Sequence, residues 1–179
     1  MTCKRSAFGA VVALGIFHLI AVSVLPEALA QQSGPTPEYF KVNHFVSHPI
    51  GIRTIQSLQS LRQIGNLKSD QSTLKLNRYD KWKFDDHRTL SFDGLIISVM
   101  FPERDYGRGL IWGVVVTEPK WQMEYGIAVG MPRRKVKEIL GEPFQTGPDM
   151  MKYCGDLPCV TFYFESGKVS KLVFEASVE

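Results

Sequence analysis

Histidine, paired aspartates and two cysteines are the side chains in this chain whose types and spacing bear on chemistry. Outside its first thirty residues the chain has three histidines, His44, His48 and His87. His87 follows Asp85 and Asp86, so a carboxylate and an imidazole side by side suggest proton transfer, a weak metal site, or a small hydrolase built on His87 and Asp86. The bland reading is a solvated turn, because aspartate is favoured in turns for backbone reasons alone. No G-x-S-x-G nucleophile elbow and no glycine-rich phosphate loop occurs. Cys154 and Cys159 enclose Gly-Asp-Leu-Pro. A local disulfide pinning a hairpin loop is the simplest expectation for such a pair in an oxidising compartment. A metal site would need further cysteines or histidines nearby, and the segment has none. The sequence thus predicts no enzyme, no cofactor and no metal, only the bridge.

Compartment is read from the other end of the chain. Lys4 and Arg5, an apolar run from Ala7 to Leu25, Pro26 and then Ala28-Leu29-Ala30 follow the order of a secretory signal with an A-x-A cleavage site. The apolar run also reaches the ~20 residues that span a bilayer, so a retained anchor is the other reading. Cleavage after Ala30 would remove residues 1–30, and Cys3 with them, leaving a periplasmic or secreted protein with no stable membrane anchor. The chain's net charge of +3 then falls by one. That is too near neutral to indicate nucleic acid as a partner.

The elements that would carry any surface follow from periodicity. Residues 31–48 read as a flexible lead-in, polar and proline-containing at the start. From Gly51, the spacing of Ile55, Leu58, Leu61 and Ile64 predicts an amphipathic helix of three turns ended by Gly65. Strands are expected at Thr73–Leu76, Lys81–Phe84, Thr89–Phe92, Leu95–Phe101 and Leu110–Thr117. Asp85-Asp86 and Asp93-Gly94 mark turns, and Pro102 to Gly109 a loop. Gly130-Met131-Pro132 opens a second helix whose apolar face is Val136, Ile139 and Leu140, with Arg133, Arg134, Lys135, Lys137 and Glu138 toward water. Gly141 and Pro143 stop it. Strands at Met150–Tyr153, Val160–Phe164 and Val169–Phe174 complete the chain. Helix then strands, twice, predicts an α+β protein of two tandem helix plus antiparallel-sheet repeats, residues 49–125 and 126–179, in one compact domain.

Gly130-Met131, Val136, Ile139-Leu140-Gly141 and Pro143, followed by strand, glycine turn and strand, resemble the small envelope domain of the BamE (SmpA/OmlA) family. The tandem order resembles the repeat fold of β-lactamase inhibitor proteins. The resemblance implies a protein that binds other proteins in the envelope or outside the cell, as an inhibitor or immunity-like factor against an envelope or secreted enzyme, or as an envelope-assembly factor. It carries over no functional residue, and the lipid-acceptor cysteine of BamE-type proteins is missing. The surface expected to bind is the sheet face the helices leave open, with Tyr79, Trp82, Tyr106, Trp112, Trp121, Tyr153 and Tyr163 as candidate contacts, because exposed aromatic rings anchor protein interfaces. Alternation sends Val160, Phe162 and Phe164 to one face and Thr161 and Tyr163 to the other.

Overall fold

Runs of alternating apolar and polar residues make most of the chain after Leu67 into strand, and all of the strands find one another. The structure, a computed structural model, describes residues 36–51 and 55–176. The elements in chain order are α1 (Pro37–Ser47), β1 (Ile55–Gln56), α2 (Leu58–Arg62), β2 (Leu67–Leu76), β3 (Phe84–Phe92), β4 (Leu95–Phe101), β5 (Gly109–Val116), α3 (Arg133–Leu140), β6 (Gln145–Thr146), β7 (Met150–Cys154), β8 (Pro158–Glu165) and β9 (Lys168–Ala176). The nine strands form a single sheet in the order β2-β3-β4-β5-β9-β8-β7-β6, with β1 added beside β5. Every strand pair is antiparallel.

This architecture corrects the expectation of two tandem helix plus sheet repeats, and with it the BamE-like and β-lactamase-inhibitor-like resemblance. Gly113–Val116 of β5 pair with Leu172–Glu175 of β9, so the strands of residues 49–125 and 126–179 are continuous in one sheet over one core. The expected first helix is also much reduced. Ile55 and Gln56 are strand, paired with Leu110 and Gly109, and the Ser57 hydroxyl caps a helix of five residues. Its apolar spacing records only two buried side chains, Leu58 and Leu61.

The flexible lead-in expected over 31–48 is corrected within its described part: α1 occupies Pro37–Ser47. Thr36 caps it by accepting from the Tyr39 amide at 3.2 Å, and Pro37 opens the first turn. The helix buries Phe45 and Val46 only, a short apolar face that periodicity underestimates. The signal segment and its cleavage site at Ala30 lie outside the described residues.

One face of the sheet is sealed. Leu95, Ile97, Val99 and Phe101 alternate inward along β4, as do Val160, Phe162 and Phe164 along β8, to meet Phe45, Leu61, Val136 and Leu140 from the three helices. The Asp93-Gly94 turn is where expected: Gly94 takes φ +70°, and a Cβ there would lie 1.9 Å from the Glu118 side chain. α3 also lies where expected, closed by Gly141 at φ +83°. Arg133 is an exception to its watery face. It donates to the Gly147 and Pro148 carbonyls at 2.7 and 2.6 Å and covers Phe164.

Two predicted local features exchange places. Lys81-Trp82-Lys83 form the turn between β2 and β3, while Asp85 and Asp86, expected in a turn, lie inside β3 and are buried. Each carboxylate is satisfied by a partner distant in sequence. Asp86 accepts from the Ser72 hydroxyl at 2.6 Å and the Arg88 guanidinium at 2.7 Å, and Asp85 accepts from the Asn77 amide and the Glu103 backbone N–H. Hydrogen-bonded in this way, a buried aspartate no longer opposes a strand.

The Cys154–Cys159 disulfide is present, between residues directly opposite each other on β7 and β8. Closing so short a loop contributes about 2 kcal/mol. The bridged loop also seats α1: Asp156 accepts from the Tyr39 hydroxyl and from the Asn43 amide at 3.2 Å. Gly155 passes so close that a Cβ would sit 2.3 Å from Asn43 Oδ1. A disulfide of this kind fits an oxidising, extracytoplasmic setting.

Candidate partner-binding face

Side chains that alternate away from the core form the second face of the sheet, and no described helix packs on it. Cross-strand register builds rows across it: Ser91, Ile96, Val115, Val173 and Thr161 run over five adjacent strands, and His87, Met100 and Leu110 run over three. The first row is apolar at its centre, and its flanks are hydroxyls.

A bulge on β5 adds the largest side chain. Ser98 pairs with Gly113 and Val99 with Ile111, so Trp112 is the extra residue and turns outward, 36% exposed. Beside it lies a groove of about 520 Å³ lined by Trp112, Met100, His87, Asp85, Lys75 and Tyr79, among others. Sequence reasoning pointed to Trp112 and Tyr79 separately. Only strand register brings them to one groove, and it adds Met100 and Lys75, which no sequence signal singled out.

The predicted aromatic set divides. Trp112 and Tyr163 are on the open face, Tyr163 beneath the Lys171 ammonium at 4.3 Å. Tyr79 and Trp82 stand at the tip of the β2–β3 hairpin. The other three do structural work. Tyr153 is 1% exposed, with its hydroxyl donating to the Gly141 carbonyl at 3.0 Å and burial pushing its pKa up to about 12. Trp121 packs edge-on to Phe92 and donates its indole N–H to the Asp93 carbonyl at 2.7 Å. Tyr106 lies against Phe101 and under the Arg88 guanidinium. Tyr153 is buried and withdrawn as a contact, whereas Trp121 stays half-buried and Tyr106 41% exposed.

Asp86 and His87 do not form a proton-transfer pair. They are neighbours on a strand and point to opposite faces, Asp86 into the ion network and His87 into the groove. Burial pushes the Asp86 carboxyl up, but the Ser72 hydroxyl, Arg88 and Tyr106 outweigh it and hold it below the ordinary carboxylate range. Among the described residues no three side chains of metal-binding type converge.

His87 faces the groove together with Lys75, Asp85 and Tyr79. Burial holds its pKa below the ordinary histidine value, the nearby Lys75 ammonium adds to this, and Asp85 and Asp86 oppose it. Its Nδ1 is buried without a hydrogen-bond partner among the described residues. A folded-state pKa below the unfolded one gives stability that is complete above the unfolded value, about 6.5, and declines as pH falls toward the folded value. Urea midpoints should therefore drop between pH 7.5 and 5, and His87→Gln should flatten that part of the slope. An unchanged slope in the variant would show that His87 is not the group responsible.

No protein-family model and no curated protein matches this chain. Among solved structures, one titled as the uncharacterized protein yfeY from Escherichia coli is similar at 14% sequence identity, over 73% of this chain and 91% of that one, with a TM-score of 0.35.

Proposed function

We propose that this chain is a secreted or periplasmic protein-binding module, without catalytic chemistry, that grips another protein through its open sheet face. One observation carries the reading: the β5 bulge turns Trp112 out beside a groove that Met100, Tyr79 and Lys75 also line. An aromatic anchor next to a pocket, with hydroxyl and charged groups around it, is the usual composition of an interface centre and rim. The apolar row through Ile96, Val115 and Val173 extends the contact across the middle of the sheet. The disulfide and the N-terminal signal pattern support a location beyond the cytoplasm, reached by cleavage after Ala30.

An inhibitor or immunity-like role against an envelope or secreted enzyme is the form this proposal takes. The experiment is affinity capture from an envelope extract by the chain from Gln31, run beside Trp112→Ala. A soluble enzyme retained by the parent, inhibited by it, and bound about 30-fold more weakly by Trp112→Ala is the expected result. Retention of an outer-membrane assembly instead would replace inhibition with scaffolding. Equal capture by parent and variant would remove the open face as the contact surface.

A further inference from the structure

The hairpin that joins β2 to β3 lends Tyr79 and Lys75 to the groove, and beyond it presents further rings and cations at its tip. Trp82 is 92% exposed, Tyr79 86%, Leu76 62% and Leu74 51%. Four large apolar side chains standing in water within nine residues are unusual for one hairpin, since soluble surfaces rarely gather such patches without a use. Interleaved with them are Lys75, Arg78, Lys81 and Lys83 against a single acid, Asp80. Lys83 pairs with Glu103 at 2.8 Å and lies 3.7 Å from Asp80. Lys75, Arg78 and Lys81 enter no ion pair among the described residues, and Arg78 lies 6.0 Å from the Tyr79 ring.

Hydrogen bonds hold the tip in this form. Asn77 Oδ1 accepts from the Tyr79 and Asp80 amides, both at 2.9 Å, and Asp80 Oδ1 accepts from the Trp82 amide at 3.0 Å. Asn77 Nδ2 is tied in turn to the buried Asp85 at 3.0 Å, and the Asn77 amide donates to the Lys83 carbonyl at 2.9 Å. The polar groups of the turn are thus directed inward, and the rings are left pointing out on a loop that has little freedom to fold them back.

We propose that this hairpin is a peripheral membrane contact, with Trp82, Tyr79 and Leu76 entering the interfacial layer of an anionic bilayer while Lys75, Arg78 and Lys81 meet its phosphates and acidic headgroups. Tryptophan and tyrosine settle at the headgroup level because one end of the ring is apolar and the other hydrogen-bonds. Basic residues beside them are drawn to negative surface charge. Charge complementarity selects an anionic surface, and the aliphatic Leu74 and Leu76 select lipid, because a soluble polyanion gives them nothing to enter. The full chain's net charge of +3, one lower for the chain from Gln31, agrees with a contact confined to one projecting hairpin, not spread along a polyanion. Such a contact is reversible and would bring the open face to a partner near a membrane.

Co-sedimentation tests it, using the chain from Gln31, which keeps the whole core within the compact unit Ser33–Glu179. The probes are vesicles of phosphatidylcholine alone and of phosphatidylcholine mixed with phosphatidylglycerol. The parent should partition into the anionic vesicles about 10-fold more strongly than into the neutral ones, and less so at high salt. Tyr79→Ser with Trp82→Ser should lower anionic-vesicle binding about 10-fold, while Lys75→Gln with Arg78→Gln and Lys81→Gln should erase the preference for phosphatidylglycerol. All five positions are on the surface hairpin, so melting temperatures of both variants should match the parent. Absence of vesicle binding, equal binding to both vesicle types, binding unchanged in either variant, or binding only to heparin or an oligonucleotide would each overturn the proposal.

Discussion

Arg88→Met is expected to destabilise the protein by about 3–5 kcal/mol, a large part of the stability of a domain this size. The guanidinium lies between two carboxylates on the core side of the β2–β3 pair, donating to Asp70 at 2.8 Å and to Asp86 at 2.7 Å. Asp86 is 0% exposed, and Arg62 reaches the second oxygen of Asp70. Methionine replaces the aliphatic part of the arginine but none of its donors, so Asp86 is left buried with the Ser72 hydroxyl as its main remaining partner. The cost comes from the uncompensated charge more than from the lost attraction. That distinction is measurable. In the parent the Asp86 pKa is held low, so its contribution is present above the ordinary carboxylate pKa and is lost as pH falls through the folded value. Without Arg88, burial should raise that pKa, reversing the sign, so the gap between parent and variant should narrow as pH falls from 7 to 4. A loss under about 1 kcal/mol at pH 7 would mean the network is dispensable.

Phe162→Ala should cost a similar amount, about 3–5 kcal/mol. Phe162 is fully buried on β8, paired across the sheet with Met151 and Leu172. Its ring stacks on Phe45 of α1 at 6.0 Å between centroids and meets Tyr153 edge-on at 5.7 Å. Truncation opens a cavity where helix and sheet meet, and rigid strands on either side limit collapse into it. Hydrogen exchange should locate the damage: amides of α1 should lose protection before those of β4 and β5. A cost below about 1.5 kcal/mol, with α1 still protected, would mean that neighbouring side chains refill the space.

What the sequence disclosed was local. α3 could be read from Pro132, the Val136–Leu140 spacing and Gly141, the β3–β4 hairpin from Asp93-Gly94, and the faces of β8 from alternation, which separated Phe162 from Tyr163 correctly. The cysteine spacing yielded the bridge. The failures share a cause, a partner remote in sequence. Asp85 and Asp86 resemble a turn until Ser72, Asn77 and Glu103 are placed around them. Ile55 and Gln56 resemble the start of a helix until β5 offers them an edge. Two repeats resemble two sheets until β5 meets β9. The candidate surface was half legible for the same reason. Trp112 was named, but its outward turn depends on a bulge that only the β4 register reveals, and Tyr153 and Trp121 are taken inward by carbonyls elsewhere in the chain.

The pairing of Gly113–Val116 with Leu172–Glu175 has a consequence for how the molecule is made. Strands β2 to β5 form a meander whose neighbours are close in sequence, so they can assemble early. The inner edge of β5, however, has only the two residues of β1 beside it until β9 arrives from the far end of the chain. A chain produced or exported from its N-terminus therefore carries an incomplete sheet, with Gly113 to Val116 paired to β4 on one side and still lacking their β9 partners on the other, for most of its emergence. Completion of that one seam is the step at which the folding chain ceases to be a hazard to its neighbours, and the time before it is when a chaperone in the same compartment would have to hold it.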